Sequence, residues 1–472
     1  MSNGAEPAPS GSRPKLALYM SGSSAEVLRL VPDYVGDIEC SAICPNWNSY
    51  EESKSQALFP RVDYLYDDFN ERFVSVSPEA VLREYGAVNF FQVLAADKSL
   101  LKRQLGHQQV RFVAAMASRI ERALLNSGAT HLFFPIIETA EAMLAYRVAE
   151  LLGVRTLVNS TARIADLSFI SSDFRETLPE WARISDFDES LRVRARTFLD
   201  AYQDDLIDLM WTPEAAASGS LHRDPLAGRV VERLARNLWL SRGLERHNPG
   251  MSFSLSVQVN LKKVLEPLRG LRYKLLEPTY LRPEPLPDEY DYFPLHFSPE
   301  SSINTPAPFY VDQLRVIDRI MLERPDPSRP LVVKEHPSMY GTRTFAFYKQ
   351  VKHRPLVQFV SRDYPQKQLL RGASTVYSVT GTSCLEKFLL GGQWVQFGTN
   401  MLSDWVERRK NAGLDLDQVD FLCTMMNVGA PFKLYSPGIS SARDAVLFSE
   451  ANIQTMCAEI VKAVRMSASA KP

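Results

Sequence analysis

A histidine that follows a short apolar run in the second half of the chain is a candidate anion-binding group. Leu331-Val332-Val333 predicts a buried strand, and Lys334-Glu335-His336-Pro337 comes directly after it. An imidazole N–H can donate a hydrogen bond to a phosphate oxygen, and Lys334 and Arg343 add positive charge nearby in the sequence. A His-Pro pair after a strand is also a common structural feature, so this segment alone leaves both interpretations open.

A second candidate is the turn Thr380-Gly381-Thr382-Ser383, which lies between a predicted strand and a predicted helix. Small residues let the backbone approach an anion, and the free N–H groups of a helix N-terminus attract one. The alternative is an ordinary N-cap by Thr382 or Ser383, with Glu386 completing a capping box. Because this turn and His336 are two anion-friendly strand ends in one predicted domain, phosphate binding is the favoured interpretation.

Three carboxylates follow predicted strands and are candidate catalytic groups. Glu138 comes after the strand His131–Phe134 and opens a helix, where it could instead complement the helix dipole. Asp173 ends the segment Ser171-Ser172-Asp173, and Glu300 lies just past the strand at Tyr292–His296. Glycosyl transfer needs a carboxylate as nucleophile or base near the anomeric carbon.

Several common catalytic motifs are absent from the sequence. It has no P-loop lysine, no GxGxxG and no GxSxG, which disfavours nucleotide hydrolysis, dinucleotide redox chemistry and serine hydrolysis. Asp186-Phe187-Asp188 and Asp415-Leu416-Asp417 match a metal-binding DxD pattern, but the pattern is short and neither copy follows a predicted strand. We therefore predict no metal site and no cofactor.

The elements that must position these residues alternate between strands and helices. In the first half, the predicted strands are Leu16–Met20, Ile38–Ile43, His131–Phe134 and Arg155–Val158; the helices are Ala25–Val31, a helix ending at Asn126-Ser127-Gly128, and Glu138–Leu152. In the second half, the strands are Tyr292–His296, Leu331–Val333, Leu356–Val360, Thr375–Val379 and Trp394–Phe397; the helices are Val311–Met321, Phe345–Val351, Gln366–Arg371 and Cys384–Leu390. This order predicts two α/β domains with parallel sheets.

A proline-rich run from Pro278 to Pro287 predicts a stiff linker between the two domains. We predict a disordered lead over residues 1–14, an N-terminal domain over 15–227, a basic insert and linker over 228–290 and a C-terminal domain over 291–448. A C-terminal helix and tail over 449–472 follow, and this helix could pack back across the domains. In this arrangement Glu138 and Glu300 would face each other across a cleft, at the carboxyl ends of the strands.

Composition limits the function classes. The 472 residues include 54 basic and 55 acidic ones, a balance that argues against a general nucleic-acid binder. No apolar run approaches the ~18 residues that span a bilayer, and the first 14 residues lack the apolar core of a signal peptide. The five cysteines have no zinc-ligand spacing, so we expect buried thiols in a reducing cytoplasm.

Residues 228–275 differ from the rest, with ten Lys or Arg against three Glu and apolar residues interleaved among the arginines. This pattern is typical of a solvated helix face or of a segment that docks on an anionic membrane surface.

The order and spacing of several segments resemble the capsule and surface polysaccharide synthesis family, which includes the retaining β-Kdo transferases of bacterial capsules and O-antigens. The resemblance covers roughly residues 130–400, and the run from Lys334 to Arg343 is its most specific part. The segments that carry it are Arg163-Ile164, Ile170–Asp173, Tyr292–His296, Pro299–Ser301, Tyr310–Gln313, Val333–Arg343, Val379–Thr382 and Gln396–Gly398.

This resemblance implies a GT-B fold, which consists of two Rossmann-like domains that face each other across a cleft, with an activated nucleotide sugar on the second domain. It implies that His336 and Pro337 hold the nucleotide phosphate, that the Thr380–Ser383 turn assists, and that Glu386 reaches the ribose. Arg163 or Arg343 would pair with the carboxylate of a Kdo-type donor. Several relatives have Asp near the position of Glu300.

We therefore expect a cytoplasmic glycosyltransferase of capsule or O-antigen synthesis that acts at the inner membrane surface. It would transfer Kdo from CMP-Kdo to a glycan or lipid-linked acceptor, with Glu300, Glu138 and His336 as catalytic residues. The alternatives are a transferase that uses a nucleotide-diphosphate sugar or a CDP-polyol, and a scaffold of the export machinery that has lost catalysis.

Overall fold

The computed structural model describes residues 13–55, 59–86, 88–97, 106–209, 285–297, 301–336, 339, 343–360, 364–434 and 445–469. The strands, in chain order, are β1 (Lys15–Tyr19), β2 (Glu39–Cys44), β3 (Val62–Tyr64), β4 (His131–Phe134), β5 (Arg155–Thr161), β6 (Ser168–Ser171), β7 (Tyr290–Pro294), β8 (Leu331–Lys334), β9 (Val357–Val360), β10 (Ala373–Ser378) and β11 (Gln393–Gln396).

The helices, in chain order, are α1 (Ser24–Leu28), α2 (Trp47–Ser55), α3 (Phe69–Ser75), α4 (Pro78–Glu84), α5 (Phe90–Ala96), α6 (Gly106–Ser127), α7 (Ala140–Leu151), α8 (Glu189–Gln203), α9 (Ser301–Asn304), α10 (Gln313–Glu323), α11 (Phe345–Lys352), α12 (Gln366–Gly372), α13 (Thr382–Leu389), α14 (Met401–Asn411), α15 (Gln418–Val428) and α16 (Glu450–Ser469).

The described chain forms two compact units, and each is built on its own sheet. The first unit takes residues 13–183 and 424–469, and the second takes 184–209 and 285–423. The two α/β units and their parallel sheets are confirmed. The predicted boundary at residue 227 and the basic segment 228–275 lie outside the described residues.

Two segments group differently from the predicted domains. Helix α8 belongs to the second unit, where Arg192 pairs with Asp420 at 2.8 Å and Gln203 donates to the carbonyl of Leu389. Helix α16 belongs to the first unit, because its apolar face packs on the sheet around Leu16 and Leu18.

The sheet of the first unit has the strand order β3-β2-β1-β4-β5-β6, and only the pairing of β5 with β6 is antiparallel. Successive residues of β1 enter opposite cores. Ala17 and Tyr19 pack with α6 and α7, whereas Leu16 and Leu18 pack with α1 and α16. Since both faces are covered, β1 and β4 read as continuous apolar runs.

The sheet of the second unit has the order β11-β10-β7-β8-β9, and all its pairings are parallel. Phe293 and Val333 pack on one face against α10 and α11, and Tyr292 and Val332 pack on the other face against α12. Both units therefore have the doubly wound order, in which the first strand lies in the middle of the sheet.

The five cysteines are buried and unpaired, as expected from their spacing. Among the described residues, no helix is long and apolar enough to cross a membrane.

His131, at the start of β4, ties the C-terminal helix to the sheet. Its Nδ1 lies 2.8 Å from Thr130 Oγ1, and its Nε2 lies 3.0 Å from Ser467 Oγ on α16. Burial, assisted by the nearby Arg155, lowers the pKa of His131 to about 4. The imidazole of the folded protein therefore stays neutral at pH values where an unfolded chain, with an ordinary histidine pKa of about 6.5, becomes protonated.

We predict that this difference contributes to acid unfolding. As pH falls from about 6.5 to about 4, His131 binds a proton in the unfolded chain but not in the folded protein. The free energy of unfolding therefore decreases over that pH range. Thermal melts from pH 7 to 4 should show a shallower decline for His131→Asn than for the wild type. Parallel curves for wild type and His131→Asn would contradict the prediction.

Candidate functional site

The point in the second sheet where the strand order reverses lies between β7 and β10. In open α/β sheets, ligands bind in the crevice outside the carboxyl ends of the two strands at such a switch point. β7 is followed by Leu295 and His296, and β10 is followed by Val379, Thr380 and Gly381. These two connections and the end of β8 form the candidate site, which we call the switch-point site.

His296 joins the two connections. Its Nε2 accepts a hydrogen bond from the backbone N–H of Val379 at 3.0 Å and lies 3.3 Å from Ser378 Oγ. The backbone of His296 is held by Gln313, whose Oε1 accepts from its N–H at 2.7 Å and whose Nε2 donates to its carbonyl at 3.0 Å. His296 therefore fixes the position of the segment after β10, a role that the sequence pattern did not reveal.

Glu335 is a buried carboxylate at the end of β8 with several hydrogen-bond donors around it. Its carboxylate accepts from Arg343 Nε at 3.0 and 3.2 Å, from Tyr348 Oη at 2.7 Å and from the backbone N–H of His336 at 2.8 Å. It is 2% exposed, so its charge is stable there only because these donors surround it.

This ion pair gives Arg343 partners within the protein. One of its terminal nitrogens donates to the carbonyl of His296, and its Nε serves Glu335. Arg343 therefore positions the ends of β7 and β8, and its expected pairing with a donor carboxylate stays a prediction.

Lys334 and His336 lie on either side of Glu335. Lys334 is buried and its ammonium donates to the carbonyl of Tyr364 at 2.7 Å. Burial lowers the pKa of His336 to about 4, and the charges of Arg343 and Lys334 act in the same direction. At neutral pH His336 is therefore an uncharged imidazole that can donate one N–H.

The turn at Thr380–Ser383 opens α13, as predicted, but its cap differs. Gly381 is the N-cap and provides no side-chain hydrogen bond, so Thr382 and Ser383 are the first residues of the helix. The backbone N–H of Gly381 donates to Ser378 Oγ at 3.1 Å. The capping box with Glu386 does not form, because Glu386 lies in the second turn and accepts from Gln366 Nε2 at 2.9 Å.

Two close approaches hold this turn in place. A Cβ at Gly398, which follows β11, would come within 2.6 Å of Thr380 Cγ2. Asn400 caps α14 with its Oδ1, and its Nδ2 donates to the carbonyl of Thr380 at 3.3 Å. The N-terminus of α13 is thus presented by a rigid backbone at the switch point, which suits an anion.

Glu386 is the titratable carboxyl of this region. Burial is the main cause that raises its pKa to about 7, and Asp208 acts in the same direction, whereas the hydrogen bond from Gln366 and the charges of Lys367 and Lys334 oppose the rise. Its expected contact with a ribose stays a prediction. Pro337 and Glu300 lie outside the described residues, so their predicted roles, and the pairing of Glu300 with Glu138, also stay predictions.

Two predicted binding residues of the first unit have partners within the protein. Arg163 is buried and pairs with Glu176 at 2.5 Å. Asp173 accepts from Arg175 Nε at 2.9 and 3.1 Å and from the backbone N–H of Arg175 at 2.8 Å. Both side chains hold the segment around β6 in place, and their expected contacts with a substrate stay predictions.

The remaining carboxylate, Glu138, lines a pocket of about 500 Å³ at the carboxyl ends of β1, β2 and β4. Other lining residues are the loop 21–24, Asn46, Thr139 and Glu141, and we call this space the acidic pocket. Glu138 precedes the helix that it was expected to open, because Thr139 is the N-cap of α7 and accepts from the N–H of Ala142 at 3.2 Å.

The DxD segments have structural roles. Asp188 caps α8 by accepting from the N–H of Leu191 at 2.8 Å, and Asp417 accepts from the N–H of Asp420 at 2.9 Å. Within the described ranges, no three His, Cys, Asp or Glu side chains form a group that could hold a metal ion.

Comparison with known proteins identifies a family for part of the chain. Residues 294–406 match the family model described as capsule polysaccharide biosynthesis protein. The expected resemblance is thereby confirmed over a segment that contains His296, Glu335, His336 and the turn before α13. No curated protein matches the chain.

Solved structures give distant likenesses. The KpsC β-Kdo 2,4-transferase of Thermosulfurimonas dismutans has 12% identity and a TM-score of 0.35 over 63% of this chain and 79% of its own. The β-Kdo 2,7-transferase of KpsC from the same organism has 11% identity and a TM-score of 0.31, over 74% of this chain and 90% of its own. A UDP-GlcNAc 2-epimerase of Methanocaldococcus jannaschii has 12% identity and a TM-score of 0.24, over 96% of this chain and 99% of its own. We draw no conclusion about function from likenesses at these scores.

We predict that Gly381→Ala disrupts the switch-point site. The new Cβ would come within 2.8 Å of His296 Cε1 and 3.0 Å of Ser378 Oγ, and His296 cannot retreat without losing its bond from Val379. A cost of about 1–3 kcal/mol in the free energy of unfolding is typical of such overpacking. Denaturant melts should show this loss, whereas Gly106→Ala, which meets no atom within 4 Å, should cost nothing. Equal stability of the two variants would contradict the geometry.

Proposed function

We propose that the protein is a glycosyltransferase of surface polysaccharide synthesis that binds a nucleotide-activated sugar at the switch-point site of the second unit. One observation carries the proposal: the segment that matches the capsule polysaccharide biosynthesis family, residues 294–406, is the segment that builds this site. The side chains that define the site, from His296 to Asn400, all fall within it.

The chemistry of the site supports a donor that leaves as a nucleotide phosphate. A departing phosphate develops negative charge that must be stabilised by groups already in place. His336 offers a neutral N–H donor, and Thr382 and Ser383 place backbone N–H groups at the start of α13. These are dipoles that need no proton transfer to act.

The limited positive charge favours a donor with one phosphate. Arg343 is committed to Glu335, and Lys334 donates to a backbone carbonyl, so among the described residues the cations of the site are already engaged. The nucleoside diphosphate that leaves a diphosphate donor carries one more negative charge than CMP, and this charge would need additional cations. We therefore propose a CMP-activated sugar, and CMP-Kdo in particular, as the donor.

The proposal assigns the sugar-transfer steps to two carboxylates. In a retaining reaction, Glu300 attacks the anomeric carbon as the CMP phosphate leaves, and the acceptor hydroxyl then displaces Glu300 from that carbon. Glu138 takes the proton of the acceptor hydroxyl in the second step. The enzyme would act at the cytoplasmic face of the inner membrane and attach through the basic residues of 228–275.

The first test is nucleotide binding followed by substitution of His336. CMP should raise the melting temperature of the protein more than CDP, UDP or GDP at equal concentration, because ligand binding to the folded state stabilises it. A preference for UDP or GDP would indicate a diphosphate donor, and no binding of any nucleotide would favour a scaffold.

We predict that His336→Ala slows transfer from the preferred donor by ~10² to 10³-fold, the usual effect of losing one such donor group. Because the pKa of His336 is about 4, the ratio of wild-type to variant rates should be constant between about pH 6 and pH 8. His353→Ala, at an exposed helix end, serves as the control. A ratio that falls as pH rises through 6.5 would mean that His336 acts as a cation.

A further prediction concerns the nucleophile and metal dependence. Glu300→Gln should abolish transfer and leave donor binding intact, because the amide keeps the shape of the side chain and cannot attack. Transfer by the wild type should persist in excess EDTA, since protein donors stabilise the leaving phosphate. An active Glu300→Gln enzyme, or an absolute requirement for Mg²⁺ or Mn²⁺, would overturn this mechanism.

A further inference from the structure

The acidic pocket lies at the switch point of the first sheet. β1 and β4 are neighbours there, and the loop 21–24 after β1 and the segment Glu138–Thr139 after β4 form its walls. Doubly wound folds commonly bind phosphate at this place, on the N-terminus of the helix that follows a central strand. The position is therefore that of a ligand site, and its lining determines which ligand it accepts.

The lining disfavours anions. Two carboxylates, Glu138 and Glu141, face the pocket, and the described lining contains no Lys, Arg or His. The side chain of Thr139 already accepts from the N–H of Ala142, so the start of α7 is capped by the protein itself. A phosphate or carboxylate placed here would meet two like charges, and none of the described lining residues is a cation that could compensate them.

The remaining lining groups suit hydroxyls. Asn46 Oδ1 accepts from the N–H of Ser49, and Ser24 Oγ donates to the carbonyl of Ser21. The lining groups that can meet a ligand hydroxyl are therefore the amide nitrogen of Asn46, as a donor, and the hydroxyls of Ser21 and Ser23, as donors or acceptors. The carboxylates are acceptors only when ionised, and hydroxyl or ammonium groups are their natural partners. A pocket of about 500 Å³ is large enough for one or two sugar rings.

A hydrogen bond from a tyrosine holds Glu141 in this lining. Tyr66 Oη donates to Glu141 Oε1 at 2.6 Å. The hydroxyl of Tyr19, which is completely buried, lies beside Thr139 and Glu141. Burial and the charge of Glu141 raise the pKa of Tyr19, which keeps its proton and stays a donor.

We propose that the acidic pocket binds the terminal sugar of the acceptor and that Glu141 is a specificity-determining residue, which admits neutral or amine-bearing sugars and excludes anionic ones. The word acceptor rests on the proposed function; the charge preference rests on the pocket alone.

The test uses three probes that share one ring and differ in charge: methyl glucoside, methyl glucosaminide and methyl glucuronide. Binding to the full-length protein is measured by saturation-transfer NMR or calorimetry at low salt, without donor. The glucosaminide should bind at least as tightly as the glucoside, and the glucuronide about tenfold more weakly or worse. Equal binding of all three, tightest binding of the glucuronide, or no binding at about 100 mM would each overturn the proposal.

Two variants test whether Glu141 causes the charge preference of the acidic pocket. Glu141→Gln keeps an acceptor for Tyr66 but removes the charge, so the glucuronide deficit should shrink at least threefold. Glu121→Gln is the matched control, because Glu121 also accepts from a tyrosine hydroxyl, that of Tyr85, on a helix outside the pocket. It should leave the probe order unchanged. A deficit that survives Glu141→Gln, or that Glu121→Gln removes, would show that Glu141 does not set it.

A gain-of-binding variant keeps the proposal testable if Glu141→Gln fails to fold. Ser23 is exposed, its side chain caps no helix, and it lines the pocket. Ser23→Lys should therefore fold and bind the glucuronide more tightly, by at least about threefold, and an unchanged glucuronide affinity would count against the pocket. Nucleotide titration in the same samples tests the proposed function separately: CMP binding with no sugar binding would remove this inference alone.

Discussion

The buried carboxylate of Glu335 is the constraint on which the second unit's site depends. A charge with 2% exposure must be surrounded by donors, and the chain supplies them from three places: Arg343, Tyr348 and the N–H of His336. Satisfying Glu335 therefore fixes the backbone at His336 and brings Arg343 to the carbonyl of His296. The imidazole of His296 in turn accepts from the backbone N–H of Val379, and this bond positions the turn before α13. The three strand ends are positioned as one network.

The same reasoning explains why several of the expected site residues have partners within the protein. A buried cation needs a partner, and a partner inside the protein leaves less of its charge for a ligand. Arg343, Arg163 and Lys334 were expected to contact an anion, and each also has a partner within the protein, a carboxylate or a carbonyl. The other groups proposed to contact a phosphate are neutral: an imidazole whose pKa is lowered to about 4 and the N–H groups of a helix start.

Much of the fold was predictable because its central strands are buried on both faces. Mainly apolar runs at β1, β4, β7 and β8 predicted parallel strands. Gly or Asn after apolar helices indicated where those helices end. β3 and β6 were not predicted. β3 has three residues, and β6 pairs antiparallel at the edge of the sheet after a loop in which Arg163, Ala165 and Asp166 adopt left-handed conformations. Such a loop leaves no simple signal in sequence periodicity.

The site was predictable in position and less so in detail, and the reason is physical. Strand ends at a switch point follow from topology, so His336 and the Thr380–Ser383 turn could be found from their order in the chain. Partner choice depends on contacts between residues far apart in sequence: His296 with Val379, Arg343 with Glu335, Tyr66 with Glu141. The two doubly wound units share one topology, yet one switch point carries neutral donors and a helix start and the other carries two carboxylates. Topology thus gives each unit a place for a ligand, and the charge left over after internal pairing determines which kind of ligand that place can hold.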